Sequence, residues 1–322
     1  MRVSVVVCTL NRSTLLGRAL ESLSRQTLGQ EQYEVLVVDN GSRDRTREVV
    51  RHWTEGFRSL RYVHEPRLGL SRARNRGLHE AAGEVVAFLD DDAEADAGWL
   101  AAIEAAWDVP GGIGGVGGKV ELRWASARPT WVPRSLEGYF SGFDLGAEAR
   151  FVTSRPYPFG TNMAVRRDLA LAIGGFSPWF GRKGPSLGSH EETELFHRLR
   201  RLDVQIYYEP RAIVYHWVLP ERASRLWLLR RVFAEGRSRV ALLHLMQDSH
   251  EAHRLQEAWR LYRGAIAEGM RSRGFASGAS DAPWLVLAAT AAYAWGCTVG
   301  SATVLMRPPA PATGEGGASG LR

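Results

Sequence analysis

A chain of 322 residues, 45% hydrophobic and 24% charged, has the balance of an ordinary globular protein and is long enough for one large or two modest cores. The formal charge of +6 is concentrated between Arg211 and Arg273, where 12 arginines stand against 6 acids. No basic run with interleaved aromatics marks a nucleic-acid surface, and Cys8 and Cys297 make neither a zinc pattern nor a disulfide framework, which points to a reducing compartment.

The few apolar residues before Thr9 are too short for a signal-peptide core. Val3 to Cys8 is short and β-branched, a strand buried on both faces, and it ends in the polar loop Thr9-Leu10-Asn11-Arg12. A helical pattern follows at Leu15, Leu16, Ala19, Leu20 and Leu23. Tyr33 to Val38 is a second strand, closing on Asp39-Asn40-Gly41-Ser42. Asp44 to Trp53 reads as a helix, Leu60 to Val63 as a strand and Ser71 to Ala81 as a helix. Val85 to Leu89 is then an apolar strand running straight into Asp90, Asp91 and Asp92. This alternation predicts a parallel sheet with helices on both faces, and such sheets take ligands at the C-terminal ends of their strands. Three adjacent carboxylates repel one another. They form either a solvated acidic turn or the ligands of a hard cation such as Mg²⁺ or Mn²⁺.

The other strand ends suit a nucleotide. Asp39 is placed to accept hydrogen bonds from a base or ribose, and Gly41-Ser42 allows close backbone approach. Gly69 precedes a Ser71 cap with Arg72 and Arg74 on the first turn, an anion-binding arrangement. Each is a turn or cap when taken alone; on consecutive strand ends they favour a nucleotide site.

Thr9 to Arg12, Val38 to Ser42, Gly69 to Asn75 and Phe88 to Asp92, in this order and spacing, resemble family 2 glycosyltransferases, over roughly residues 3–220. The resemblance implies a GT-A fold, a mostly parallel nucleotide-binding α/β sheet flanked by helices, here with a C-terminal helical extension. It implies a nucleoside-diphosphate sugar held by Thr9, Asn11, Arg12, Asp39, Gly41, Ser42, Gly69, Arg74, Asn75, Asp90 and Asp91, with Asp39 on the base. Asp90 to Asp92 would be the family's Asp-x-Asp motif, with Asp92, together with Asp90 and His216, on Mn²⁺ or Mg²⁺. Gly160 and Asn162 match a family strand beside donor and acceptor. Glu191-Glu192 stands where the family carries an acidic pair, usually Glu-Asp, whose second member is the catalytic base. Glu192 is thus the expected base and Glu191 the alternative; Ser189 before an acidic first turn is also what helix capping alone would give.

Trp99 to Trp107 reads as a helix. Gly112-x-Gly114-x-x-Gly117 has dinucleotide-fingerprint spacing but is followed by a strand pattern, Lys119 to Leu122, rather than a helix, so it is discounted in favour of glycines that let the chain cross the sheet. Residues 123–158 are rich in aromatics and proline: Trp131 is a candidate acceptor contact, or the stretch is a packed Ω-like loop. Helical spacing returns from Arg222 to Met270. Ala282 to Met306 carries no charge over 25 residues, enough for a membrane span or for a buried or interfacial helix, and the tail after it has a disordered composition.

The expected organisation is a glycosyltransferase domain over 1–220 (nucleotide-sugar half 1–120, acceptor half 121–220), a basic helical extension over 221–281, an apolar membrane-associated or transmembrane helix over 282–306 and a tail over 307–322. The expected activity is inverting transfer of one sugar to a glycan or lipid-linked acceptor; the Gln-x-x-Arg-Trp motif of processive members is absent. The positive-inside rule would put the domain on the cytoplasmic face of the inner membrane. The rival readings are a sugar-nucleotide nucleotidyltransferase, which would want a Gly-rich basic loop after the first strand, and a non-catalytic binding module.

Overall fold

The structure, a computed structural model, describes residues 2–153, 156–246 and 282–306. Val3–Thr9 (β1), Tyr33–Asp39 (β2), Leu60–His64 (β3) and Val85–Asp90 (β4) run parallel in the order β3-β2-β1-β4. Ser13–Ser24 (α1), Thr46–Trp53 (α2) and Leu70–Glu80 (α3) make the crossovers. Strand alternation sends Val3, Val5 and Val7 into one core with Leu16 and Leu20 of α1, and Val6 into the opposite core with Ala73 and Leu78 of α3. With both faces covered, these strands need apolar residues at every position, which is why they read as unbroken runs.

The sheet then changes direction. It continues through Ala93–Ala95 (β5), Ile113–Trp124 (β6), Arg150–Phe151 (β7), Asn162–Arg166 (β8) and Gln205–Val218 (β9), with Trp99–Ala106 (α4), Arg167–Ala172 (α5) and Glu191–Arg200 (α6) between them. β8 lies antiparallel to both β4 and β6, and β9 is parallel to β6 but antiparallel to β5 and β7. The mostly parallel nucleotide-binding half is thus extended by a half of mixed direction. Between β6 and β8 the described residues hold a 3₁₀ turn, Arg134–Phe140, and β7 but no crossover helix, as suits an antiparallel neighbour.

The glycine run lies inside β6, as a sheet crossing and not as a phosphate loop. At Gly118 a Cβ would collide with the carbonyl oxygen of Ala212 on β9 and with the Asn162 side chain, so only glycine lets the strands close there. The divide expected at 120/121 falls within this strand.

Arg225–Met246 (α7) and Ala282–Met306 (α8) pack closely against one another. Gly236 sits against the Tyr293 carbonyl and Gly296 against that of Phe233, so small residues bring the two backbones together. Leu285 and Ala289 of α8 join Leu228 and Val232 of α7 in a third core, which also takes in Val132, Leu136 and Phe140. Among the described residues no helix is long and apolar enough to cross a membrane, which corrects the transmembrane alternative. α8 is rich in Ala, Gly and Thr, and one of its faces is spent on α7. The basic extension beyond Met246 and the tail from residue 307 lie outside the described residues.

Candidate active site

A cavity of ≈ 840 Å³ opens at the C-terminal edge of the parallel strands. One wall is made of strand ends. β1 supplies Thr9 and, just beyond, Arg12; β4 supplies Asp90 and leads into Asp91 and Asp92. The opposite wall comes from Gly160 and Thr161, the start of α6, His216 of β9, and α7 with α8.

Sheet register explains how the acids are arranged. After Asp90 the chain turns and enters β5, where Ala93 pairs with His216 and the Trp217 N–H donates to the Asp92 carbonyl at 2.9 Å. This sets Asp92 Oδ1 3.3 Å from His216 Nε2, both side chains buried. Arg12 Nη1 bridges Asp91 Oδ1 at 2.9 Å and Asp92 Oδ2 at 2.8 Å, and Arg222 Nη2 lies 2.9 Å from Asp92 Oδ2. Burial pushes the Asp92 carboxyl up, but His216, Arg222 and Arg12 outweigh it and hold the group well below the usual carboxylate range. Asp91 goes the other way, to about 6, because burial and its neighbour Asp92 outweigh Arg12.

Asp90 faces elsewhere. Its Oδ1 is 3.2 Å from Arg74 Nη2 and its Oδ2 accepts from Thr161 Oγ1 at 2.7 Å. Arg74, fully buried over the rings of Phe88 and Phe176, also contacts Glu191 Oε1 at 2.8 Å. One guanidinium thus ties the end of β4 to the start of α6. Among the described residues no three His, Cys, Asp or Glu groups assemble as a metal site, so the expected set of Asp92, Asp90 and His216 is not brought together. The strand alternation that would put Asp90 and Asp92 on one face stops at Asp90, where β4 ends, and Asp90 is taken by Arg74 and Thr161. Asp92 and His216 do form a carboxylate–imidazole pair. That donor set fits one divalent ion whose remaining positions are filled by oxygens of a bound ligand.

At the start of α6 the two glutamates have different surroundings. Glu191 is buried and committed to Arg74. Glu192 is half-buried, lines the cavity and has no ion pair among the described residues. Burial, and then the Glu191 charge, raise its pKa well above the usual carboxylate range.

His190, just before these residues, adopts φ +75°, uncommon for a side chain with a Cβ. It is held from α7: Glu235 Oε1 is 3.0 Å from His190 Nε2, while Glu235 Oε2 accepts from Ser189 Oγ at 2.7 Å and from Arg231 Nη1 at 2.8 Å. Glu235, Arg222 and Arg231 line the cavity, and motif reading missed them. The available signal was the four-residue spacing of Arg231, Glu235 and Arg239, which puts all three on one face of α7.

Several candidate residues make hydrogen bonds within the scaffold. Asn162 is fully buried, accepting from Trp99 Nε1 at 2.8 Å and donating to the carbonyls of Lys119 at 2.9 Å and Ala212 at 2.8 Å. Asn75 holds the backbone of Phe176 through two bonds, at 2.8 and 2.7 Å. Asn11 and Ser42 join the loops after β1 and β2, with Ser42 Oγ 2.9 Å from the Asn11 N–H. Asp39 accepts from the Ser42 N–H at 2.8 Å and from the Tyr62 hydroxyl at 2.6 Å. Gly41 turns the chain there at φ +91°, and the Gly69 N–H donates to Asn40 Oδ1 at 2.7 Å. Trp131 is not on the cavity wall. It packs against the third core with Arg225 5.7 Å over its ring, because the 3₁₀ turn after it is anchored under α7.

A mixed sheet whose parallel half ends in an acidic, arginine-bridged cavity, faced by a glutamate at a helix start, defines an α/β transferase of the GT-A kind. The family model for Glycosyl transferase family 2 matches residues 4–174, and the chain belongs to that family. It is a glycosyltransferase. It is 30% identical over 277 residues to the succinoglycan biosynthesis protein ExoM of Rhizobium meliloti, covering 84% of this chain and 82% of that one. It is 27% identical over 242 residues to a glucosyl-dolichyl phosphate glucuronosyltransferase of Haloferax volcanii, covering 74% and 76%. In fold it is similar to the mannosyltransferase PcManGT of Pyrobaculum calidifontis in complex with GDP-Man and Mn²⁺, with a TM-score of 0.55, 20% identity and coverage of 96% and 76%. It is also similar to S. aureus TarS 1-349 in complex with UDP, with a TM-score of 0.52, 21% identity and coverage of 95% and 92%.

Proposed function

We propose that the protein moves one sugar from a nucleoside-diphosphate sugar to an acceptor hydroxyl with inversion, in the assembly of a bacterial glycan or glycolipid. The observation that carries this reading is the contrast at the start of α6. Glu191 is locked to Arg74, while Glu192 faces the cavity with a raised pKa and no ion pair among the described residues. A carboxylate with elevated pKa is a better proton acceptor at neutral pH than an ordinary one. Glu192 takes the proton of the acceptor hydroxyl as that oxygen attacks the anomeric carbon; the bond to the nucleoside diphosphate breaks on the opposite face, and a single displacement inverts the centre.

Asp92 and His216 would hold the divalent ion, Mn²⁺ or Mg²⁺, which when bound supplies Lewis-acid neutralisation of the leaving diphosphate. Arg12 and Arg222 balance the Asp92 charge, and Arg74 fixes Asp90 and Glu191 so that only Glu192 is open to the acceptor. The PcManGT and TarS structures carry a nucleotide sugar and a nucleotide respectively, which supports a nucleotide-sugar donor. The named roles of the Rhizobium and Haloferax relatives support a glycan or lipid-linked acceptor, and with it peripheral attachment at the cytoplasmic face of the inner membrane.

The test is nucleotide release from a panel of UDP-, GDP- and dTDP-sugars, with manganese and with chelator, in the presence of membrane lipid extract. Chelator-sensitive release from one donor is the expected result. Release from none of them, with extract present, would overturn the reading.

A further inference from the structure

Among the described residues, the charges around the cavity do not all find partners. Arg12 is shared by Asp91 and Asp92, Arg74 by Asp90 and Glu191, Arg222 faces Asp92, and Arg231 faces Glu235. Two more arginines line the same space, Arg182 and Arg239, both half-buried. Neither guanidinium has a carboxylate partner among the described residues. Arg182 is crowded by like charge: burial, then Arg222 and Arg231, pull it down to about 10 in spite of Asp92. Arginine does not relieve such a position by losing its proton at physiological pH, so an unpaired, partly desolvated guanidinium costs stability until an anion meets it. Its planar fork matches phosphate and carboxylate.

Position separates Arg239 from the nucleotide end, whereas Arg182 stays within reach of Asp92, Arg222 and Arg12. Arg231, Glu235, Arg239 and Leu243 recur every fourth residue and form one stripe of α7 along the cavity. Arg239 is two turns beyond Arg231, about 12 Å along the helix axis. There it faces α8, close enough to Tyr293 and Cys297 to act on their ionisation. Leu243 and Ala294 make the same end of the cavity apolar. This wall is built rather than incidental, since Gly236 and Gly296 seat α8 directly on α7.

Resting on the glycosyltransferase reading above, we infer that the acceptor is anionic, and that Arg239 takes up its phosphate or carboxylate on the α7–α8 side of the cavity. The anion has two chemical sources, a lipid phosphate whose tail runs along Leu243 and Ala294, or an acidic sugar.

The experiment is calorimetric titration of the full-length chain, kept in mild detergent, with farnesyl phosphate, farnesol, glucuronic acid and inorganic phosphate, and separately with the nucleoside diphosphate that the donor panel selects. Arg239→Gln is expected to weaken the best anionic probe at least tenfold and the nucleoside diphosphate less than twofold, with Arg239→Lys intermediate. Farnesyl phosphate binding at least tenfold tighter than farnesol and phosphate assigns the lipid source; glucuronic acid binding tightest assigns the acidic sugar. The inference is overturned if no anionic probe binds, if Arg239→Gln leaves probe binding intact, or if it weakens the nucleoside diphosphate as much as the probe. Retained nucleoside-diphosphate binding in the variant shows that it is folded. Donor release alongside any of the overturning results leaves the glycosyltransferase reading standing and removes only the anionic acceptor.

Discussion

The two walls of the cavity are built on different plans. The wall of strand ends is positioned by ladders: Thr9 pairs with Asp39 and Cys8 with Asp90 in continuous parallel register, so its side chains are fixed by backbone hydrogen bonds. The facing wall has such a frame only at His216, which pairs with Ala93. Thr161, the Glu191–Glu192 pair, Arg222 and Glu235 come from separate elements, and what aligns them is a set of long-range charged contacts: Arg74 to Glu191, Arg222 to Asp92, and Glu235 to His190. The ladder wall is thus expected to tolerate side-chain changes with little movement, whereas the facing wall shifts when one ionic contact is lost. On the proposed mechanism, the carboxylate that acts as base sits on the second wall.

The sharpest break in that contrast is Glu192→Gln. Removing a positioned general base is expected to lower turnover by about 10²–10⁴-fold with donor affinity unchanged. The folded-state pKa of Glu192 is raised, so its ionisation opposes folding as pH climbs above the ordinary carboxylate value, and Glu192→Gln should raise Tm at neutral pH while it loses turnover. Near-normal turnover would place the base elsewhere. The same sign governs the rate profile: turnover of the unsubstituted protein should rise with pH through a value above the usual 4.3 or so of glutamate, as Glu192 gives up its proton. A profile flat down to pH 4 would count against it.

Next in size is the link between the walls. Arg74→Met leaves Asp90 and the buried Glu191 without their cation, and a broken buried pair costs about 3–5 kcal/mol. Denaturant titration should show that loss, and a change under about 1 kcal/mol would mean the walls are held otherwise. Glu235→Gln should cost about 1–3 kcal/mol through weakened bonds to Ser189, His190 and Arg231, with turnover falling because the turn before Glu191 loosens. His190 and Arg231 hold the Glu235 carboxyl well below its usual range despite burial. Its stabilisation is therefore present above the unfolded value and lost as pH falls through the lowered one, and the stability gap between variant and parent should close in acid. The smallest effect belongs to Trp131→Phe. It should leave kcat/KM within about twofold and cost about 1 kcal/mol, as expected of a packing residue. A large rise in acceptor KM would return Trp131 to the acceptor.

Parallel strands buried on both faces advertise themselves as apolar runs, and their polar ends follow at once in the chain. For that reason β1 to β4, the helices between them and the Asp90–Asp92 cluster were legible, with element ends within two residues of those observed. The Glu191-Glu192 pair and His216 were legible as positions, through motif order. Their surroundings were not. Nothing local distinguishes Asn162, which pins three elements, from a ligand-binding amide, or Asp90, spent on Arg74, from Asp92, which meets His216. Nor does a mixed-face helix disclose that Arg231, Glu235 and Arg239 are its cavity side. The uncharged 282–306 segment shows the same limit, because hydropathy counts apolar residues but not the helix that covers them, and here α7 does. The sequence by itself determined the elements and the chemistry available at their ends, since periodicity and strand burial act over a few residues. Only the tertiary structure decided which carboxylate is paired and which is left open, because the arginines that make the difference arrive from 16 to 130 positions away along the chain.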